Sequence, residues 1–234
     1  SDASTEWYLY TFYAKLDERG DGGEADEFGR PVPNELAAYS VTWYSAVFIL
    51  LSGLDHFIVS QPWLFKGTYE YYIERSQNPF RWDEYALSAS LMRIMIAQLS
   101  GVTDVYLLAC IFVLASITMI LGAIHESVNA KARADGYKQN WFPFLAAWVP
   151  HIATWVVIFM YFFTAVIEGD PPGFVWSIVF ILFILDGSFA LLFWFQWSQT
   201  CGFRNYVRGE IGFILLSFTA KTLLAWINYG GGSR

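Results

Sequence analysis

The residue whose setting most invites chemistry is Lys221. It stands near the middle of Ile211–Asn228 (IGFILLSFTAKTLLAWIN), an apolar run long enough to cross the roughly 30 Å hydrocarbon core of a bilayer. A lysine at that depth costs about 2.5–3.5 kcal/mol on insertion scales, so something must compensate for it. Desolvated among apolar side chains, an amine gives up its proton readily and can condense with an aldehyde to a Schiff base. The resulting buried cation then needs a carboxylate. The plain alternative is a lysine that snorkels to the interface or faces a wet cavity. Ser217, one helical turn earlier, could hydrogen-bond the nitrogen.

A carboxylate of the right kind exists in RWDEYALSAS. Arg81, Glu84 and Ser88 are spaced three and four apart and share one helical face, with Glu84 about two turns into its span. Glu84 is therefore the expected partner of Lys221, against the alternative of a headgroup-level ion pair from Arg81 to Glu84 or Asp83. In the preceding span, SGLDHF places Ser52 and His56 on one face beside Asp55. A lone histidine there is commonly a packing residue, but a Ser/His face near a buried cation can exchange protons with it.

The chain that must position these groups is a membrane protein by composition. Of 234 residues 56% are hydrophobic and 20% aromatic, only 15% are charged, and the mean hydropathy is +0.38. Six spans are expected, near Leu36–Ser60, Pro79–Leu99, Asp104–Ala130, Trp141–Ile167, Pro172–Trp197 and Arg208–Asn228. Lys66, Arg75, Lys131, Arg133, Lys138, Arg204 and Arg208 collect on one side of that arrangement. Gly101–Thr103, Glu168–Asp170 and both chain ends fall on the other, which the positive-inside rule makes extracellular. The chain thus reads as a multi-pass integral membrane protein bathed in lipid, with its C-terminus extracellular.

Residues 1–35 read as an extracellular segment. Glu6–Leu16 is rich in aromatics and is followed by Gly20, Gly22, Gly23, Gly29, Pro31 and Pro33, which suggests a short β-hairpin on the membrane surface. Its acidic cluster, Asp17 to Glu27, and the net charge of −7 argue against a nucleic-acid partner. Residues 36–229 form the bundle and 230–234 read as a tail or expression remnant. Two cysteines, Cys110 and Cys201, make no disulfide framework. No metal-ligand spacing or nucleophile motif is present, so neither an enzyme nor a metal site is expected. No matched broken helices or internal repeat suggest a transporter.

Trp155, Phe193, Trp194 and Trp197 are the aromatics expected to wall a long apolar slot, although most rings in such a bundle face lipid or core. Pro143 and Pro150 beside His151 predict a kink in the fourth span. Asp186, deep in WSIVFILFILDGSFALLFWF, is expected to face the interior, whereas Asp104, Glu168 and Glu210 fall near span ends and read as interfacial.

RWDEYALSAS (81–90) and LLSFTAKTLLAW (215–226), together with SGLDHF (52–57), resemble the heliorhodopsin family over all six spans. That resemblance implies an all-α, rhodopsin-like helical bundle of inverted orientation and all-trans-retinal on Lys221 as a protonated Schiff base, with Glu84 as counterion. It also implies that Ser217 and Ser52 match the serines near the Schiff base, His56 a histidine of a polar cavity and Arg81 an arginine on its cytoplasmic side. Ser88, Phe193 and Trp194 complete the expected retinal site. A homodimer is implied in the same way. Heliorhodopsins have seven helices, so the first is expected to be absent from this chain. Proton pumps of the microbial rhodopsin kind carry a second carboxylate eleven residues after the first, where this chain has Met95. Light sensing with a conformational signal to an unassigned partner is therefore the expected function, and a light-gated proton or cation conductance the alternative.

Overall fold

The computed structural model describes residues 6–14, 31–40, 42–169 and 171–232. The acidic cluster from Asp17 to Glu27, the glycines from Gly20 to Gly29 and Asp170 lie outside the described residues. The expected hairpin is present: β1 (Glu6–Ala14) and β2 (Pro31–Ser40) pair antiparallel from Glu6↔Ser40 to Ala14↔Pro31, with one irregularity at Leu9/Tyr10. The Tyr10 N–H donates to the Thr103 carbonyl at 3.0 Å, and Leu9 packs on the edge of the core. The hairpin is thereby docked on the turn before the fourth helix. β2 takes residues 36–40, so the first span starts at Thr42 and not at Leu36. A short apolar run suits strand or helix equally, and the presence of β1 as a pairing partner decides.

The helices are α1 (Thr42–Ser60), α2 (Lys66–Glu74), α3 (Pro79–Leu99), α4 (Val105–Asp135), α5 (Phe142–Glu168), α6 (Gly173–Ser198) and α7 (Tyr206–Gly232). Five of them, α1 and α4 to α7, are long and apolar enough to cross a membrane. The second expected span, α3, is less apolar because it carries Arg81, Asp83, Glu84 and Arg93. It is nonetheless the element most enclosed by neighbours, packing against α1 and α4. The segment 61–78, expected as a loop, holds the nine-residue α2. Helix starts follow the sequence: Asn78 caps α3 by accepting from the Arg81 N–H, and Asp104 caps α4 by accepting from the Leu107 N–H. Gly136 ends α4 in a left-handed conformation, φ 74°. The helix α5 continues through Pro150.

Buried apolar residues form two clusters at different heights in the bundle. One gathers Met95, Ile96, Ile111, Trp155, Phe162 and Ile178 among others. The other gathers Trp82, Tyr85, Phe193, Trp197, Tyr206 and Phe213. The seam between α5 and α6 is closed by rings, including Trp155–Phe183 at 5.1 Å and Phe162–Trp176 at 4.8 Å between centroids. Between the two clusters lies a cavity of about 140 Å³, and members of both wall it.

Candidate functional site

Helix α7 brings Lys221 to the cavity wall, and α3 brings Glu84 to its nitrogen. Lys221 Nζ donates to Glu84 Oε1 at 2.6 Å, and both side chains are sequestered, 8% and 7% exposed. Ser52 of α1 joins them. Its hydroxyl donates to Glu84 Oε1 at 2.5 Å and accepts from Lys221 Nζ, so three helices meet at one proton-sharing knot. The Tyr85 ring lies 5.4 Å from the lysine nitrogen, a cation–π distance, and its hydroxyl donates to the Phe213 carbonyl at 3.2 Å. Breaking such a buried pair on one side leaves an uncompensated charge, which is costly.

Beyond Lys221 the cavity is lined mainly by apolar and aromatic side chains, among them Trp82, Met92, Phe144, Trp148, Phe189 and Phe213, with Arg93, His151 and Asp186 as a polar patch. Of the expected site residues Ser88, Ser217 and Phe193 line it, as does Trp155. Trp194 does not. It follows Phe193 around the helix, is 43% exposed and packs on Phe195. On an α6 that is apolar all round, one position's shift turns a ring from cavity to lipid. Trp197 is fully buried, but it packs against His125 and Tyr206 and walls a separate concavity. His56 has a 54% exposed side chain and stands 4.0 Å from Asp55, away from the cavity lining.

Arg81 makes neither of the short-range pairs weighed from sequence. Its guanidinium donates to Glu126 Oε1 of α4 and Glu210 Oε1 of α7, both buried. The reading of Glu210 as interfacial is thus corrected: it is 4% exposed and also accepts from Asn78 Nδ2 at 2.7 Å and Gln196 Nε2 at 3.0 Å. Glu126 also accepts from the Asn78 N–H and the Tyr206 hydroxyl, each at 3.0 Å. Phe213 and Trp82 cover the guanidinium at 4.2 and 4.7 Å. This assembly closes the bundle on the Trp82 and Phe213 side of the cavity. Asp186, expected to face inward, lines the cavity and is paired with Arg93.

A family model for heliorhodopsins matches residues 5–232. The chain belongs to the heliorhodopsin family. It is therefore a multi-pass membrane photoreceptor of the retinal-binding kind, and the family holds retinal through a Schiff base to a lysine. No curated protein matches the chain. The residues fit that group: the lysine lines a mainly apolar cavity walled in part by aromatic rings, and a carboxylate waits beside its nitrogen to balance a positive charge.

Sequence reasoning missed Glu126, Tyr206 and His125. Glu126 sits in HESVNAKARAD, which reads as a polar helix end, and α4 in fact runs on to Asp135. His125 is fully buried in a cage of Trp141, Phe144, Phe193 and Trp197, with centroids 5.0–6.2 Å away. A histidine inside a span was a signal to be followed there too.

Proposed function

We propose that Lys221 is the attachment point for retinal and Glu84 its counterion, in a light sensor that passes a conformational signal across the membrane. The observation that carries this reading is the 2.6 Å contact from Lys221 Nζ to Glu84 Oε1 at the wall of an apolar cavity. Retinal, when bound, supplies visible absorption and light-driven isomerisation. Glu84 holds its negative charge against the nitrogen and is also the carboxylate in direct contact that can accept the proton there. Ser52 of α1 fixes the carboxylate from the other side and so ties the state of the lysine nitrogen to that helix. Trp82, Phe193 and Phe213 keep water from that end of the slot.

The closed Arg81–Glu126–Glu210 assembly favours sensing over an open conductance, because a continuous ion path would have to dismantle it. The alternative, a light-gated proton conductance, draws on the Ser52, Asp55 and His56 side of α1, where the His56 side chain is open. The lysines and arginines of the loops support an extracellular C-terminus and hairpin segment, with residues 36–229 as the bundle. The family resemblance supports pairing with a second copy.

The test is a visible spectrum after expression with all-trans-retinal, in the parent and in Lys221→Ala. A band in the parent that hydroxylamine bleaches, and that is wholly absent in the variant, is the expected result. A band that survives in Lys221→Ala overturns the assignment.

A further inference from the structure

The cavity wall carries a second ion pair, made by residues other than Lys221 and Glu84. Arg93 of α3 donates through Nη2 to Asp186 Oδ2 of α6, and its guanidinium lies 4.5 Å from the centroid of the Trp155 ring. Trp155 Nε1–H of α5 donates to the same carboxylate oxygen at 2.7 Å, and His151 Nδ1, one turn earlier on α5, stands 3.6 Å from it. The His151 ring is itself set against Trp148, with 5.3 Å between centroids. Arg93, Asp186, His151 and Trp155 all line the cavity.

Neither charge is free to swing away. The carboxylate is held from α3 and from α5, and the guanidinium lies between that carboxylate and an indole face. Arg93 is 6% exposed, so little water screens the pair. Stability is a poor reason for such a pair to exist, since apolar residues of the same volume commonly serve as well. Ionisable groups inside a span point instead to a use.

That use follows from the wall the pair shares with the chromophore site. Excitation of a retinal-based cation moves positive charge from the nitrogen toward the polyene, so the transition energy depends on every fixed charge against the cavity. Glu84 is one such charge. Arg93 and Asp186 are two more, opposite in sign and in contact with each other, so both act on nearly the same stretch of a bound chromophore. Their effects oppose but do not cancel, because the two charges stand at different places, and what remains is a field of fixed direction.

We propose that the Arg93–Asp186 pair, clamped by Trp155 and His151, is a second charge centre that sets the absorption band alongside Glu84. This rests on Lys221 as the attachment point and adds the residues that tune the same site.

The test uses the full chain loaded with all-trans-retinal and compares visible spectra of the parent, the neutral pair Arg93→Gln/Asp186→Asn and the swapped pair Arg93→Asp/Asp186→Arg. A field that acts linearly predicts that the neutral pair displaces the band, and that the swapped pair displaces it in the same direction by about twice as much. A packing role predicts no such ordering. A neutral pair whose band coincides with the parent's, or a swapped pair whose band does not lie beyond the neutral one, overturns the proposal. If either double variant forms no pigment, the single variants Arg93→Gln and Asp186→Asn are read instead. Displacements of opposite direction are expected, and displacements to the same side overturn the proposal. Loss of pigment in every variant makes the cluster purely structural and overturns it too. Each of these failures leaves Lys221 as the anchor, whereas a parent without a visible band brings down the anchor and the proposal together.

Discussion

Two buried ionic clusters lie within a few turns of each other on α3, and they are built on opposite plans. Around Arg81, one cation meets two carboxylates, and these accept further bonds from Asn78, Gln196 and Tyr206. Around Lys221, one cation meets one carboxylate, and a single serine hydroxyl serves both. The first is over-determined, so losing any one bond leaves the others holding the geometry. The second has no redundancy, so a change at the nitrogen must be felt at Glu84 and Ser52 at once. A fixed cluster beside a sparsely held one is the arrangement by which a local event can move part of a bundle while the rest stays packed.

That contrast can be broken most severely at Arg81. Arg81→Met leaves Glu126 and Glu210 buried without their cation, and the expected loss is about 3–5 kcal/mol, read as a large drop in the thermal midpoint of the detergent-solubilised protein. A variant that melts like the parent would show the two clusters to be equally dispensable. Glu84→Gln should cost less, about 1.5–3 kcal/mol, because an amide oxygen of the same shape still accepts from the lysine. Its spectrum is the sharper readout. With retinal bound, removing the negative charge raises the ground state in which positive charge sits at the nitrogen, so the band should move to longer wavelength. An unmoved band would take Glu84 out of the counterion role. Ser52→Ala should cost least, about 0.5–1.5 kcal/mol, with pigment kept and the band displaced by less than in Glu84→Gln.

The parts legible in the sequence are those where a polar residue breaks an apolar run. Lys221, Glu84 and Asp186 each interrupt a span, and intramembrane polar groups need partners, so the pairing of Lys221 with Glu84 and the inward face of Asp186 could be argued from the residues, while Ser52 came to the lysine through the family resemblance. The span ends of α3 and α5 to α7 lay within a few residues of expectation because Pro, Gly and polar turns punctuate them. What stayed hidden depends on faces and on tertiary distance. Arg81 has carboxylates two and three residues along its own helix, yet it pairs with Glu126 and Glu210, 45 and 129 residues away. The helix α6 has no polar stripe to orient it, so Phe193 and Trp194 could not be told apart. Gly122 looked like any glycine in a span, but a Cβ there would come within 2.3 Å of the Trp82 ring that walls the cavity. Its role is close approach, which periodicity does not record.

The central claim is that one particular nitrogen carries the chromophore. The chain has five lysines, Lys15, Lys66, Lys131, Lys138 and Lys221, and among the described residues Lys221 alone of them lines the cavity. Borohydride reduction of the retinal-loaded protein, followed by digestion and peptide mass spectrometry, would fix the retinyl group to its residue. The account predicts the added mass on the peptide containing Lys221 and on no other. A retinyl mass on one of the other four lysines, or none on a protein that shows a visible band, would contradict it.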